Sequence, residues 1–117
     1  MNIGDRVRTV LGSPRKEKFL LALGHRLGIA ARGVFTGDAS QAARQAQACN
    51  EMMIAIWSQM WAMKTAGPTG HPDREFLAIL LEKADAGDAR LNLLDALNSA
   101  LLSMGGDDLS EQETAGS

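Results

Sequence analysis

Two histidines and one cysteine are the obvious places to look for chemistry in this chain of 117 residues. A metal site needs His, Cys or carboxylate ligands spaced so that one helix face or one tight turn presents them together. His25 has no His, Asp or Glu three or four residues away on either side, and His71 has only Asp73 and Glu75 nearby. No CxxC, HExxH or ExxH spacing occurs, so neither a zinc site nor a carboxylate di-iron bundle is expected. A Cys49–His25 nucleophile pair would have to form across two helices. Cys49 falls on an apolar seam, whereas a helical wheel sets His25 among Lys18 and Arg32, so the reading is a buried thiol and a solvated histidine. The carboxylates best spaced for acid–base work are Glu75 with Glu82, and Asp85 with Asp88 around Gly87. Both pairs read as outward or capping positions. No catalytic residue, metal or cofactor is expected.

Two other groups suggest contact with macromolecules. Arg6, Arg8, Arg15, Lys16, Lys18, Arg26 and Arg32 crowd the first 32 residues. Up to Arg44 there are eight Lys/Arg against three Asp/Glu, and after it four against eleven, so the front is +5 and the back −7. Arg6, Arg8, Arg15, Lys16 and Lys18 would be the contacts to an anion or to nucleic acid. The same asymmetry also serves attraction between the two halves of one bundle, or between two copies. The second group is Met52, Met53, Met60 and Met63 with Trp57 and Trp61. Methionine suits adaptable surfaces and tryptophan suits binding hot spots.

Helices must carry these residues. Ile3, Val7, Val10 and Leu11 have helical spacing but are bracketed by Gly4 and Gly12, which predicts a short helix or docked arm over 1–12. Ser13 and Pro14 suit a helix start. Phe19, Leu23, Leu27, Ala30 and Val34 then form a stripe ending near Phe35, with Gly37 as the stop. Gly24 and Gly28, one turn apart beside that stripe, predict an unusually close neighbouring helix. A second helix opens at Asp38 with Gln41, which resembles a capping box, or at Ser40. Its seam, Ala42, Ala46, Cys49, Met53, Ile56, Met60 and Met63, alternates steps of four and three. Arg44, Glu51 and Ser58 run along the opposite face, and Ile54, Trp57 and Trp61 lie beside the seam at i, i+3 and i+7. Gly67-Pro68 ends the helix, and residues 67–71 form a loop.

A third helix starts at Pro72 with Asp73 and Glu75 in its first turn, buries Phe76, Leu77, Leu80, Leu81 and Ala84, and stops at Gly87. Asp88 caps a fourth, which buries Leu93, Leu94, Leu97, Ala100, Leu101 and Met104 and closes at Gly105-Gly106. The tail from Asp107 has four acidic residues and one leucine, a composition that favours disorder.

The expectation is therefore an all-α chain. Residues 1–12 form an arm or short helix, 13–106 a bundle of about four helices, and 107–117 a disordered acidic tail. At 45% hydrophobic and 22% charged residues the chain is an ordinary globular domain. It has no run long and apolar enough to span a membrane, no secretory signal is expected, and its single cysteine suits a reducing cytoplasm. One helix cannot easily bury both the seam and the Ile54/Trp57/Trp61 flank. The leading function is thus a non-enzymatic protein–protein interaction module: an adaptor, inhibitor or small regulatory subunit. It would be homodimeric, with Met53, Ile54, Trp57, Met60 and Trp61 at its interface. The alternatives are a nucleic-acid-associated regulator using the basic segment, and a small-molecule-binding bundle with a pocket lined by Leu27, Met53 and Trp57.

Overall fold

The structure, a computed structural model, describes residues 2–33, 40–65 and 72–116. Within them the chain forms five α-helices and no strand: α1 (Ile3–Leu11), α2 (Lys16–Gly33), α3 (Ser40–Lys64), α4 (Asp73–Ala86) and α5 (Arg90–Gly116). The all-α expectation holds. Several expected features lie outside the described residues: the helix end at Phe35 and Gly37, the Asp38 cap, the Gly67-Pro68 stop and the loop that holds His71.

Residues 3–11 make a true helix. The Asn2 side chain accepts a hydrogen bond from the Asp5 backbone N–H at 2.8 Å, and Asp5 in turn pairs with Arg8 at 3.2 Å. This Asn-x-x-Asp start is a capping arrangement that the sequence reading passed over. Val7 and Leu11 are buried, and Ile3 and Val10 pack on the edge of the core. The chain then turns tightly. The Ser13 hydroxyl donates to the Val10 carbonyl at 2.6 Å and accepts from the Arg15 N–H at 3.1 Å. Because Ser13 is tied back to α1, helix α2 starts at Lys16 and not at Pro14.

Helix α2 buries Phe19, Leu20, Leu23, Leu27 and Ala31, a stripe rotated slightly from the expected one, which omitted Leu20 and placed Ala30 inward. Helices α2 and α3 run antiparallel, as three contacts show. Lys64 reaches Glu17 at 3.4 Å, Trp57 lies over Gly24, and Met53 lies against Gly28. Each step up α2 is matched by an equal step down α3. The two glycines make this approach possible. A Cβ on Gly24 would stand 3.0 Å from the Trp57 ring, and one on Gly28 would stand 3.0 Å from the Met53 sulfur. The close contact expected from their spacing is present.

Helix α4 begins after Pro72, whose carbonyl accepts from the Phe76 N–H at 2.9 Å. Asp73 in its first turn reaches Lys16 at 2.7 Å and ties the starts of α2 and α4 together. Phe76, Leu80 and Ala84 face inward, Leu77 is half-buried, and Leu81 is exposed at the edge of the stripe. The α4–α5 turn is a Schellman motif. The Ala89 N–H bonds to the Ala84 carbonyl at 2.7 Å and the Asp88 N–H to the Asp85 carbonyl at 3.3 Å, while Ala84 and Ala89 are both buried. The left-handed residue of the motif is Asp88, at φ 59°. Asp88 is therefore a turn residue, not the cap expected for the last helix. Gly87 is small for another reason: a Cβ there would come within 2.7 Å of the Arg44 carbonyl oxygen on α3. The Gln45 side-chain amide donates to the Asp88 carbonyl at 3.0 Å and completes this clamp.

Helix α5 buries Leu93, Ala96, Leu97, Ala100, Leu101 and Met104. Its helical backbone runs through Gly105-Gly106, the expected stop, into the acidic stretch from Asp107 as far as Gly116. Glycine weakens a helix by about 1 kcal/mol but does not oblige it to end. Arg26 on α2 faces Asp95 on α5 at 3.6 Å. Helices α3, α2 and α5 thus form one layer, with α1 and α4 against its inner side. Phe19 and Phe76 are the aromatic residues of the core between them, and each fully buried Leu, Ile, Met or Phe side chain there contributes roughly 1.5–3 kcal/mol.

Candidate protein-interaction face

The catalytic candidates do not assemble. Cys49 is fully buried on α3, and loss of solvent around it pushes its thiol above the ordinary range, the opposite of what a nucleophile needs. His25 is exposed on α2. Glu75 and Glu82 are both exposed. Asp85 is occupied by Arg90, which grips both carboxylate oxygens at 2.9 and 2.6 Å and holds the carboxyl below its usual range. Among the described residues no group of His, Cys, Asp and Glu is placed to hold a metal ion, and no helix is long and apolar enough to cross a membrane. The one buried polar side chain among them, Gln59, has an interaction partner, and no buried side-chain nitrogen or oxygen lacks a hydrogen bond.

The basic residues of the first segment do not share one surface. Arg8 pairs with Asp5, Lys16 turns inward to Asp73, Arg15 and Arg6 are half-buried, and Lys18 stands on the outer side of α2. The Lys16–Asp73 and Arg26–Asp95 pairs join the basic front of the chain to its acidic back. Part of the charge asymmetry is thereby used inside the fold.

The apolar flank of α3 is a different matter. Ile54 is 52% exposed, Trp57 38% and Trp61 70%. On α2, Leu21 is 47% exposed, and the antiparallel register sets it opposite Trp61. The reason lies in the width of the helix's apolar arc. Met52, Ile56 and Met60 already fill the core side of α3, and Cys49 and Ala48 continue that line. Ile54 and Trp61 fall outside that line and stand exposed, while Trp57 packs one face on α2 at Gly24 and leaves the rest of its ring at the surface. Of the five side chains expected at an interface, Ile54, Trp57 and Trp61 do stand at the surface. Met53 is half-buried against Gly28, and Met60 is buried in the core, one turn along from Ile56. Met63, expected on the seam, is exposed. Leu21 was missed because its stripe was read only for inward positions. Its signal was available, since it is spaced by three from Gly24 and by seven from Gly28.

Of the residues expected to line a pocket, Leu27 is in the core, Trp57 packs on α2 at Gly24 and Met53 packs on it at Gly28. Two clefts lined by described residues lie elsewhere. One, of about 230 Å³, is bounded by Ile3, Val7, Leu77, Leu81, Leu94 and Arg8, among others, where α1 meets α4 and α5. The other, of about 190 Å³, holds the Arg26–Asp95 pair between α2 and α5.

No family model, curated protein or solved structure matches this chain.

Proposed function

We propose that this chain is a non-enzymatic protein-interaction module that docks on another protein through the outer face of α2 and α3. In isolation it pairs with a second copy of itself through the same face. The observation that carries this reading is the exposed row Ile54, Trp57 and Trp61, joined by Leu21 from the neighbouring helix. Together these side chains expose on the order of 400 Å² of apolar surface, the size of patch that in monomeric proteins is commonly functional. Tryptophan is the residue most favoured at binding hot spots. The rigid helix pair beneath, locked by the Gly24 and Gly28 contacts, holds the rings in place before a partner arrives. A role as adaptor, inhibitor or small regulatory subunit fits such a face.

Light scattering at micromolar concentration tests the self-pairing, with Trp61→Ser and Ile54→Ser alongside the unaltered chain. The expected result is a dimer that persists in high salt and becomes a monomer in the double variant. A monomer throughout would remove self-pairing from the reading.

A further inference from the structure

We propose that the groove between the outer sides of α2 and α3 seats an acidic amphipathic helix of the partner protein. The inference rests on the docking reading above and names the chemistry of its occupant.

On its α2 bank Gly24 and Gly28 carry no side chain, so the two helices lie close together there. Trp57 over the first and Met53 against the second form its floor. Leu21 lines the α2 bank, and Ile54 and Trp61 the α3 bank. Along the α2 bank the residues turned away from the core are Lys18, Leu21, His25 and Arg32, all exposed. Lys18, His25 and Arg32 recur every seven residues, so they form one line parallel to the groove. Lys18 to Arg32 covers about 21 Å at a rise of 1.5 Å per residue, close to four helical turns. That length suits a bound helix with anchors at i, i+3 or i+4, and i+7.

Charge decides which helix. The other cation beside the groove, Lys64, is already answered by Glu17, and Arg26 is turned to the α5 side of α2, where Asp95 holds it. Lys18, His25 and Arg32 form no ion pair with any described residue. Among the described residues the remaining carboxylate on these outer faces is Glu51, on the edge of α3 away from α2. An occupant with an apolar stripe toward the tryptophans and carboxylates toward α2 therefore matches both banks. A basic helix of the same shape meets two positive charges that no described residue answers.

The test uses the full chain and two synthetic 18-residue helices that share one leucine stripe and carry either glutamate or lysine on the flanks. Binding is read from the fluorescence of Trp57 and Trp61. The glutamate peptide is expected to bind about tenfold more tightly than the lysine peptide at low salt, with the gap closing as salt rises. Lys18→Glu with Arg32→Glu should invert the preference, and Trp61→Ser should weaken both peptides alike. Equal affinities, or a preference that survives the double reversal, would overturn the acidic-helix proposal and leave the docking face standing. The proposal would also fall if neither peptide bound, or if the chain instead bound anionic phospholipid vesicles without discriminating between peptides. Failure of the docking reading itself would show separately, as a solution mass and a partner binding indifferent to Trp61→Ser.

Discussion

Three glycines on close helix contacts should respond to alanine in opposite ways, and the difference can be worked from what a new methyl group would meet. At Gly87 the added Cβ would come within 2.5 Å of the Ala48 Cβ and 2.7 Å of the Arg44 carbonyl oxygen. Neither obstacle is a flexible side-chain end; both belong to the α3 backbone and its first side-chain atom, so relief requires α3 to move off the α4–α5 turn. Overpacking of that kind costs about 1–3 kcal/mol, and the gain from a less flexible unfolded chain returns only about 0.4–1 kcal/mol. The net expectation for Gly87→Ala is a loss of about 1–2 kcal/mol. At Gly28 the methyl would meet only the Met53 sulfur, at 3.0 Å. Met53 is half-buried and unbranched, so it can swing aside. The ordinary advantage of alanine over glycine inside a helix, about 1 kcal/mol, should then dominate, and Gly28→Ala should stabilise. Gly24→Ala lies between, because Trp57 must tilt outward and Ile56 is fixed in the core. Urea unfolding followed by circular dichroism, at constant slope, gives all three free energies. The two outer variants should differ by roughly 2–3 kcal/mol, or on the order of 10 °C in Tm. Equal stabilities, or Gly87→Ala no worse than Gly28→Ala, would show that α3 does not clamp the α4–α5 turn as described.

Other expectations follow from particular contacts. Asp88→Gly should stabilise by about 1 kcal/mol in the same assay, because the left-handed position at φ 59° suits glycine and the bond from Gln45 goes to a backbone carbonyl that glycine retains. Cys49 should resist an aromatic disulfide reagent in the native protein and react at once in denaturant, since its thiol is buried and its ionisation is pushed upward. The Asp85 carboxyl is held low by Arg90, so whatever this pair adds is present above the ordinary carboxylate range and fades as pH falls through the folded-state value. An Asp85→Asn chain should accordingly lose part of the acid-side slope in a stability–pH series, and an unchanged slope would show the pair to be idle. Met52→Ala, in the core one turn from Ile56, should cost about 2–5 kcal/mol, whereas Trp61→Ser should shift stability little while altering association.

Much of the fold was legible because helices announce themselves in short-range spacing. The inward positions of α1, α4 and α5 were read nearly correctly, with Leu81 the clearest exception. The glycine pair of α2 gave a tertiary contact from sequence alone. Capping was less legible. Asn2 was passed over, Ser13 turned out to be bound to the preceding helix, and Asp88 took a left-handed backbone. Each of these depends on where the neighbouring segment goes, which local spacing does not encode. Of the interface candidates, the i, i+3, i+7 set Ile54, Trp57 and Trp61 was recognised as surplus to one core stripe. Met60 was placed with it only because spacing alone does not fix the rotation of a helix to within one residue.

The sequence by itself determined that the chain is helical, where α1 and α4 begin and end, and that α3 carries more apolar surface than a bundle of this size would bury. Those properties follow from periodicity and composition, which are local. The tertiary structure alone decided which arc of α3 faces the core, that Leu21 stands beside the tryptophans on the outer side of α2, and that Lys16 and Arg26 are answered by Asp73 and Asp95 while Lys18 has no ion-pair partner among the described residues. These are relations between residues far apart in the chain, and they are fixed only when the helices choose their packing angles and depths against one another.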